Sequence, residues 1–144
     1  MNVTVSTRIA APPDGIWAEL ADLASHPEWM KDAESVIFTS DQTRGVGTTM
    51  NVKTRVGPLR SNDVMEITGW SEGEWIEIAH TGLVTGVGRL ELLRGHETSV
   101  VSWTEELSFP WWVGGGLTAM VAKPLLTRIW SANLRRLAAR VSAH

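Results

Sequence analysis

The segment from Leu126 to Val141 places the narrowest limit on what this chain can fold into. Leu126, Trp130, Leu134, Leu137 and Val141 recur at steps of four, four, three and four, so they line one stripe of a long C-terminal helix. Gly114-Gly115-Gly116 forms a joint ahead of it, and Pro124 is expected to kink or restart it. Such a stripe needs an apolar surface to cover it. From residue 33 to 109 the chain offers no comparable helical period and reads instead as strands parted by turn signals near 41–47, 57–58, 71–73, 81–86 and 95–96. Six strands follow from those breaks. Val3, Val5, Thr7 and Ile9 occur at every second position and predict another at the N-terminus. Ala11-Pro12-Pro13-Asp14 then stops that strand, and Ile16, Trp17, Leu20 and Leu23 predict a first helix from about Pro13 to Leu23. Ser25-His26-Pro27-Glu28 has a capping-box spacing and predicts a second short helix carrying Glu28, Trp29 and Met30. The sum is an α+β arrangement, β-α-α-β6-α, in which a curved seven-stranded antiparallel sheet wraps the long helix. A single domain over residues 1–144 is expected.

Composition then removes chemistries. The 144 residues include eight Trp and two Phe but no Tyr and no Cys. Disulfides, thiolate nucleophiles, Cys-ligated metals and phenolic acids are excluded, leaving His, Asp, Glu, Lys and Arg for proton transfer. His26, His80, His96 and His144 have no metal-ligand spacing, so neither metal nor cofactor is expected. Gly45-Val46-Gly47 and Gly86-Val87-Gly88 lack the third glycine of a dinucleotide loop and read as turns or bulges. The absence of a long apolar run and of a signal-like start predicts a soluble, cytoplasmic protein. Residues 1–110 hold all sixteen acids and eight bases, while 111–144 hold five bases and no acid. A general nucleic-acid binder is not expected at a net charge of −3. The basic tail reads as a helix facing solvent and complementing an acidic body, or as a contact for anionic lipid or an acidic partner.

The element order, with Ala11-Pro12-Pro13-Asp14-Gly15-Ile16-Trp17, His26-Pro27-Glu28-Trp29-Met30, the Trp103 to Trp112 run and Asn133-Leu134, resembles the START-like helix-grip (SRPBCC) superfamily. Within it the chain is similar to the polyketide cyclase/dehydrase and lipid-transport branch. The resemblance implies a deep apolar cavity between sheet and helix that binds lipids, sterols, polyketides or other hydrophobic molecules. Some such relatives are enzymes, many are carriers, and some present the sheet face or basic helix to a protein partner.

Strand parity identifies the side chains facing that cavity. With Ser71 to Glu74 as a turn, Trp70 would oppose Trp75, Ile67 would oppose Ile78, and Met65 would oppose His80, with Asp63 diagonal to His80. Pairing Leu93 with Thr98 would set Leu90 opposite Val101, Gly88 opposite Trp103 and Gly86 opposite Glu105, glycine making room for bulk. Asp63, His80 and Glu105 then converge on an apolar surface. They can orient a ligand's oxygen or move a proton, or each can satisfy a structural partner. Trp17, Met50, Met65, Ile78, Leu90, Trp103, Trp112, Met120, Leu126 and Trp130 are the expected ligand-binding residues. Trp17, Trp103 and Trp130 read as core or wall, and Trp29, Trp111 and Trp112 as the rim of the mouth. Arg55 reads as outward by parity.

Binding of a hydrophobic small molecule is therefore the leading expectation, as a monomer or weak homodimer. The second is a metal-free cyclase or dehydratase using Asp63, His80 and Glu105.

Overall fold

The computed structural model describes residues 1–82, 85–108 and 116–142, with the backbone alone for 117–119. Seven antiparallel strands form one open sheet: β1 (Asn2–Ile9), β2 (Ala33–Phe38), β3 (Thr49–Val56), β4 (Leu59–Ser71), β5 (Trp75–Thr81), β6 (Thr85–Leu93) and β7 (Ser99–Ser108). Their order is β1-β7-β6-β5-β4-β3-β2, so only the β1–β7 pairing joins strands distant in sequence. Two helices, α1 (Pro13–Ala21) and α2 (Gly116–Ser142), flank a 3₁₀ turn at Leu23–Glu28. The expected element order is the observed one.

Two hairpins have a local cause in glycine. Gly57 has φ 61°, which lets the two-residue Gly57-Pro58 connection join Val56 to Leu59 with the twist the strands need. Gly73 has φ 79° in the next turn, where the Glu74 N–H donates to the Ser71 carbonyl at 2.9 Å. That turn is tighter than the sequence suggests, because Ser71 already pairs with Trp75.

A bulge in β4 decides which face carries Trp70. Ile67 opposes Ile78 and Met65 opposes His80 as expected, but the register then slips, and Trp70 meets Ile76 instead of Trp75. The extra residue turns Trp70 onto the inner face, where its ring meets Trp17 edge-on at 5.8 Å. Trp75 stays outside beneath the Arg89 guanidinium. Its ring lies so close over Gly69 that a Cβ there would approach within 2.6 Å. Glycine is thus required beside the bulge.

The segment after α1 departs from the capping-box expectation. Ser25 Oγ donates to the Asp22 carbonyl instead of accepting from Glu28, and Glu28 turns to Arg140. Pro27 has no N–H to continue an α-helical ladder, so a 3₁₀ turn forms. Trp29 lies at its C-terminal end, fully buried instead of at a rim, with its ring edge-on to Trp103.

The core lies between the sheet's inner face and α2. Trp130, Leu134, Leu137 and Val141 are buried, and Trp130 stacks on Trp103 with centroids 5.0 Å apart. Asp32 fixes the helix against the chain ahead of β2. Its carboxylate accepts from Trp130 Nε1 at 3.1 Å and Asn133 Nδ2 at 2.7 Å, while the Lys31 N–H donates to Asn133 Oδ1. Arg140 reaches Glu19 and Glu28. The basic tail therefore does complement the acidic body at this end. Pro124 lies within α2, which runs from Gly116 to Ser142 without a break.

Candidate functional site

Adjacent strands lie about 4.8 Å apart, so side chains on β5 and β7 are normally separated by one on β6. Here β6 presents Gly86 and Gly88 at the two relevant positions. His80 on β5 pairs with Gly86, and Glu105 on β7 pairs with Gly88. The imidazole and carboxylate meet over the cleared strand, with His80 Nε2 2.9 Å from Glu105 Oε2. A Cβ on Gly88 would come within 2.3 Å of Glu105 Oε1, and one on Gly86 within 2.1 Å of the Glu106 carbonyl oxygen. A side chain at Gly86 would run into backbone, and one at Gly88 would have to displace the Glu105 carboxylate. Gly86 and Gly88 are thus strand residues, and the β6–β7 register lies two residues from the expected one: Leu90 opposes Trp103, and Gly86 opposes Leu107.

Glu105 is further tied to the aromatic core, because Trp103 Nε1 donates to Oε1 at 3.0 Å. With the proton on Nε2, the His80 imidazole gives the same carboxyl group a second donor. Both side chains are about nine-tenths buried, at 11% and 12% exposure. A buried pair of this kind is costly to desolvate, and its loss of one member leaves an uncompensated charge.

Asp63 lies on the same face but has its own partners. Thr54 Oγ1 donates to one carboxylate oxygen at 2.8 Å and Ser61 Oγ to the other at 2.6 Å. The Thr54 and Ser61 hydroxyls were not singled out in the sequence, although their parity with Val52 and Asp63 places them on the inner face. An open recess of about 290 Å³ adjoins them, lined by Glu34, Lys53, Thr54, Arg60, Ser61 and Asn62. Its charged lining suits water better than an apolar ligand. Arg55, as expected, points outward toward Glu34.

The apolar candidates divide by position. Phe38, Met50, Met65 and His80 form one cross-strand row, and Ile67, Ile78, Gly88 and Glu105 the next. Met50, Leu90, Trp103 and Trp130 are buried, whereas Met65, Ile78 and Leu126 remain partly open. Trp17 lies at the far end of the sheet, where its indole and that of Trp70 both donate to Glu72 beside Arg44. Those indole hydrogen bonds, Trp70's first, hold the Glu72 carboxyl below its usual range. The structure does not bring Trp17 to the His80–Glu105 pair. Met120 is 75% exposed and stands at the surface. Trp112 and Trp111 lie outside the described residues. Among the described residues no cluster of His, Asp or Glu could hold a metal ion.

An open seven-stranded antiparallel sheet closed on one side by a long C-terminal helix is the START-like helix-grip fold. The chain belongs to the family described as polyketide cyclase/dehydrase and lipid transport, whose model matches residues 1–142. Solved structures agree on the fold. A protein of Thermus thermophilus superposes with a TM-score of 0.82 at 20% identity, covering 99% of this chain and 98% of that one. A START superfamily protein of Mycobacterium smegmatis gives 0.77 at 15%, covering 99% and 97%. A conserved protein of Geobacillus kaustophilus gives 0.79 at 12%, covering 99% and 96%. No curated protein matches this sequence.

Proposed function

We propose that this protein binds a hydrophobic small molecule, lipid or polyketide-like, between the inner face of the sheet and the N-terminal half of α2. One observation carries the reading: the apolar stripe that is sealed from Trp130 to Val141 is only partly covered at Leu126, and Met65 and Ile78 on the inner face of the sheet are partly open too. Apolar surface left uncovered inside a fold is a standing invitation to an apolar ligand. His80 and Glu105 give that surface one polar fixture, able to receive a ligand hydroxyl or carbonyl. The family supports hydrophobic cargo in general terms.

The test is titration with N-phenyl-1-naphthylamine, following energy transfer from the eight Trp. Saturable uptake, competed by fatty acids or aromatic polyketides, is expected. Failure of any apolar probe to bind sinks the proposal.

The His80–Glu105 contact favours a second reading, a cyclase or dehydratase in which the pair moves a proton on a poly-β-keto or hydroxy substrate. Positioned acid–base groups contribute about 10²–10⁴ in rate. His80→Gln keeps a donor for Glu105 but cannot shuttle a proton. Turnover that survives in this variant excludes His80 from catalysis.

A further inference from the structure

The β3–β4 hairpin gathers like charges. From Gln42 to Asn62 the chain holds Arg44, Lys53, Arg55 and Arg60 and no acid, although its first 110 residues carry sixteen acids against eight bases. Arg55 stands directly opposite Arg60, and Lys53 pairs with Asn62, two places along β4 from Arg60, so all four occur on one face. Like charges opposed across a ladder repel. One of these three cations is compensated within the chain. A bulge between Ala33 and Ser35 leaves Glu34 without a partner on β3, and its carboxylate lies 3.7 Å from Arg55. Among the described residues, Lys53 and Arg60 make no ion pair and no side-chain hydrogen bond. Both line the open recess of about 290 Å³, together with Glu34, Thr54, Ser61 and Asn62. Thr54 and Ser61 give their hydroxyl protons to Asp63, which abuts Gly82 on the inner side of the sheet. What the recess itself offers is two uncompensated cations and the Asn62 amide.

We propose that this recess binds a phosphate monoester of a small hydroxylated molecule. The charge decides for phosphate over carboxylate. A phosphate monoester carries about −1.5 to −2 at neutral pH and presents three acceptor oxygens, which matches two open cations, whereas a carboxylate supplies half of that charge. Arginine meets phosphate with a planar fork of donors and lysine meets it as a point charge, so Arg60 and Lys53 bring complementary geometry to one group. Binding it would also relieve the repulsion between Arg60 and its two cationic neighbours. The recess is larger than a phosphate group alone, and the remaining wall is polar, so the rest of the ester is hydroxylated and not apolar. A free metabolite and a lipid headgroup share this chemistry. The site is separate from the interior face and does not rest on the hydrophobic-ligand reading.

Isothermal titration calorimetry at low salt, with glycerol 3-phosphate and with glycerate, reads the site. Glycerol 3-phosphate is expected to bind once per chain, about tenfold or more tighter than glycerate, and to weaken as salt is added. Lys53→Ala and Arg60→Ala should each weaken it about tenfold, the loss of one charge-assisted contact. Arg135→Ala, which removes an exposed cation of α2, should not. All three variants should take up N-phenyl-1-naphthylamine as the parent does. Lysophosphatidic acid identifies the source of the phosphate. Affinity equal to that of glycerol 3-phosphate assigns a free metabolite, and a higher affinity that Arg60→Ala also lowers assigns a lipid headgroup. Equal affinity for glycerate and glycerol 3-phosphate overturns the proposal, as does an affinity that neither Lys53→Ala nor Arg60→Ala changes. So does wild-type protein that binds no phosphate monoester, whether or not it takes up the naphthylamine probe. Binding of glycerol 3-phosphate by protein that excludes the probe supports the recess and fails the hydrophobic-ligand reading instead.

Discussion

At the scale of single residues, the site depends on what is missing from β6. Gly88→Ala would drive a methyl group into the Glu105 carboxylate, so we expect a loss of about 1–3 kcal/mol in unfolding free energy, the range of overpacking in a close-packed interior. Chemical denaturation measures it, and a variant as stable as the parent would mean that β6 can yield. A second prediction concerns His26, which is buried against Trp29 with Nε2 2.8 Å from the Leu20 carbonyl. Burial holds its pKa below the ordinary value, outweighing the backbone hydrogen bond and the Asp22 and Glu19 carboxylates that raise it. The unfolded chain therefore binds the proton first as pH falls. Stability from this residue is complete above about pH 6.5 and declines below it, down to the lowered native value. His26→Gln should flatten thermal stability measured from pH 7 to 5; an unchanged slope would assign the loss elsewhere. Asp32→Ala should cost about 2 kcal/mol, because the buried Asn133 amide and the Trp130 indole each lose an acceptor.

Among the elements, α2 carries a defect of its own. Pro124 interrupts the hydrogen-bond ladder of an otherwise continuous helix and lies on its exposed side. Replacing it with alanine restores an N–H for the Met120 carbonyl, and proline costs about 3 kcal/mol within a helix. Pro124→Ala should raise the melting temperature by several degrees, read by calorimetry. A fall would mean that the proline shapes the segment toward the mouth. The elements themselves were legible because their signals are local: two-residue periods, turn glycines, and one stripe at steps of three and four. Register was less legible. The β4 bulge moved Trp70 to the inner face, and its only sequence mark was Gly69 inside a strand. The β6–β7 pairing slipped by two because the connecting loop is longer than its Gly95-His96 signal. A slip of two preserves the face, so Glu105 still points inward, but it exchanges Gly86 for Gly88 as the residue that makes room.

For the molecule as a whole, inner-face parity located His80 and Glu105 in the sequence, but only the fold brings them into contact across an intervening strand. Asp63 shares their parity and differs in company, being held by two hydroxyls whose role depends on the β3–β4 register. Trp17 carries the same apolar signal as Trp103, yet α1 sets it beside Trp70 and Glu72 at the other end. Indole periodicity reports burial, not which part of the interior is reached. Trp17, Trp29, Trp103 and Trp130 give the interior indoles among its aliphatics, and His80–Glu105 is a polar contact set within that apolar face. That arrangement is the basis for proposing a hydrophobic cargo. Native mass spectrometry of protein purified from its own cells, without added ligand, tests this most directly. The account predicts one apolar molecule retained per chain and released when solvent unfolds the protein. Empty protein that also excludes apolar dyes would contradict it.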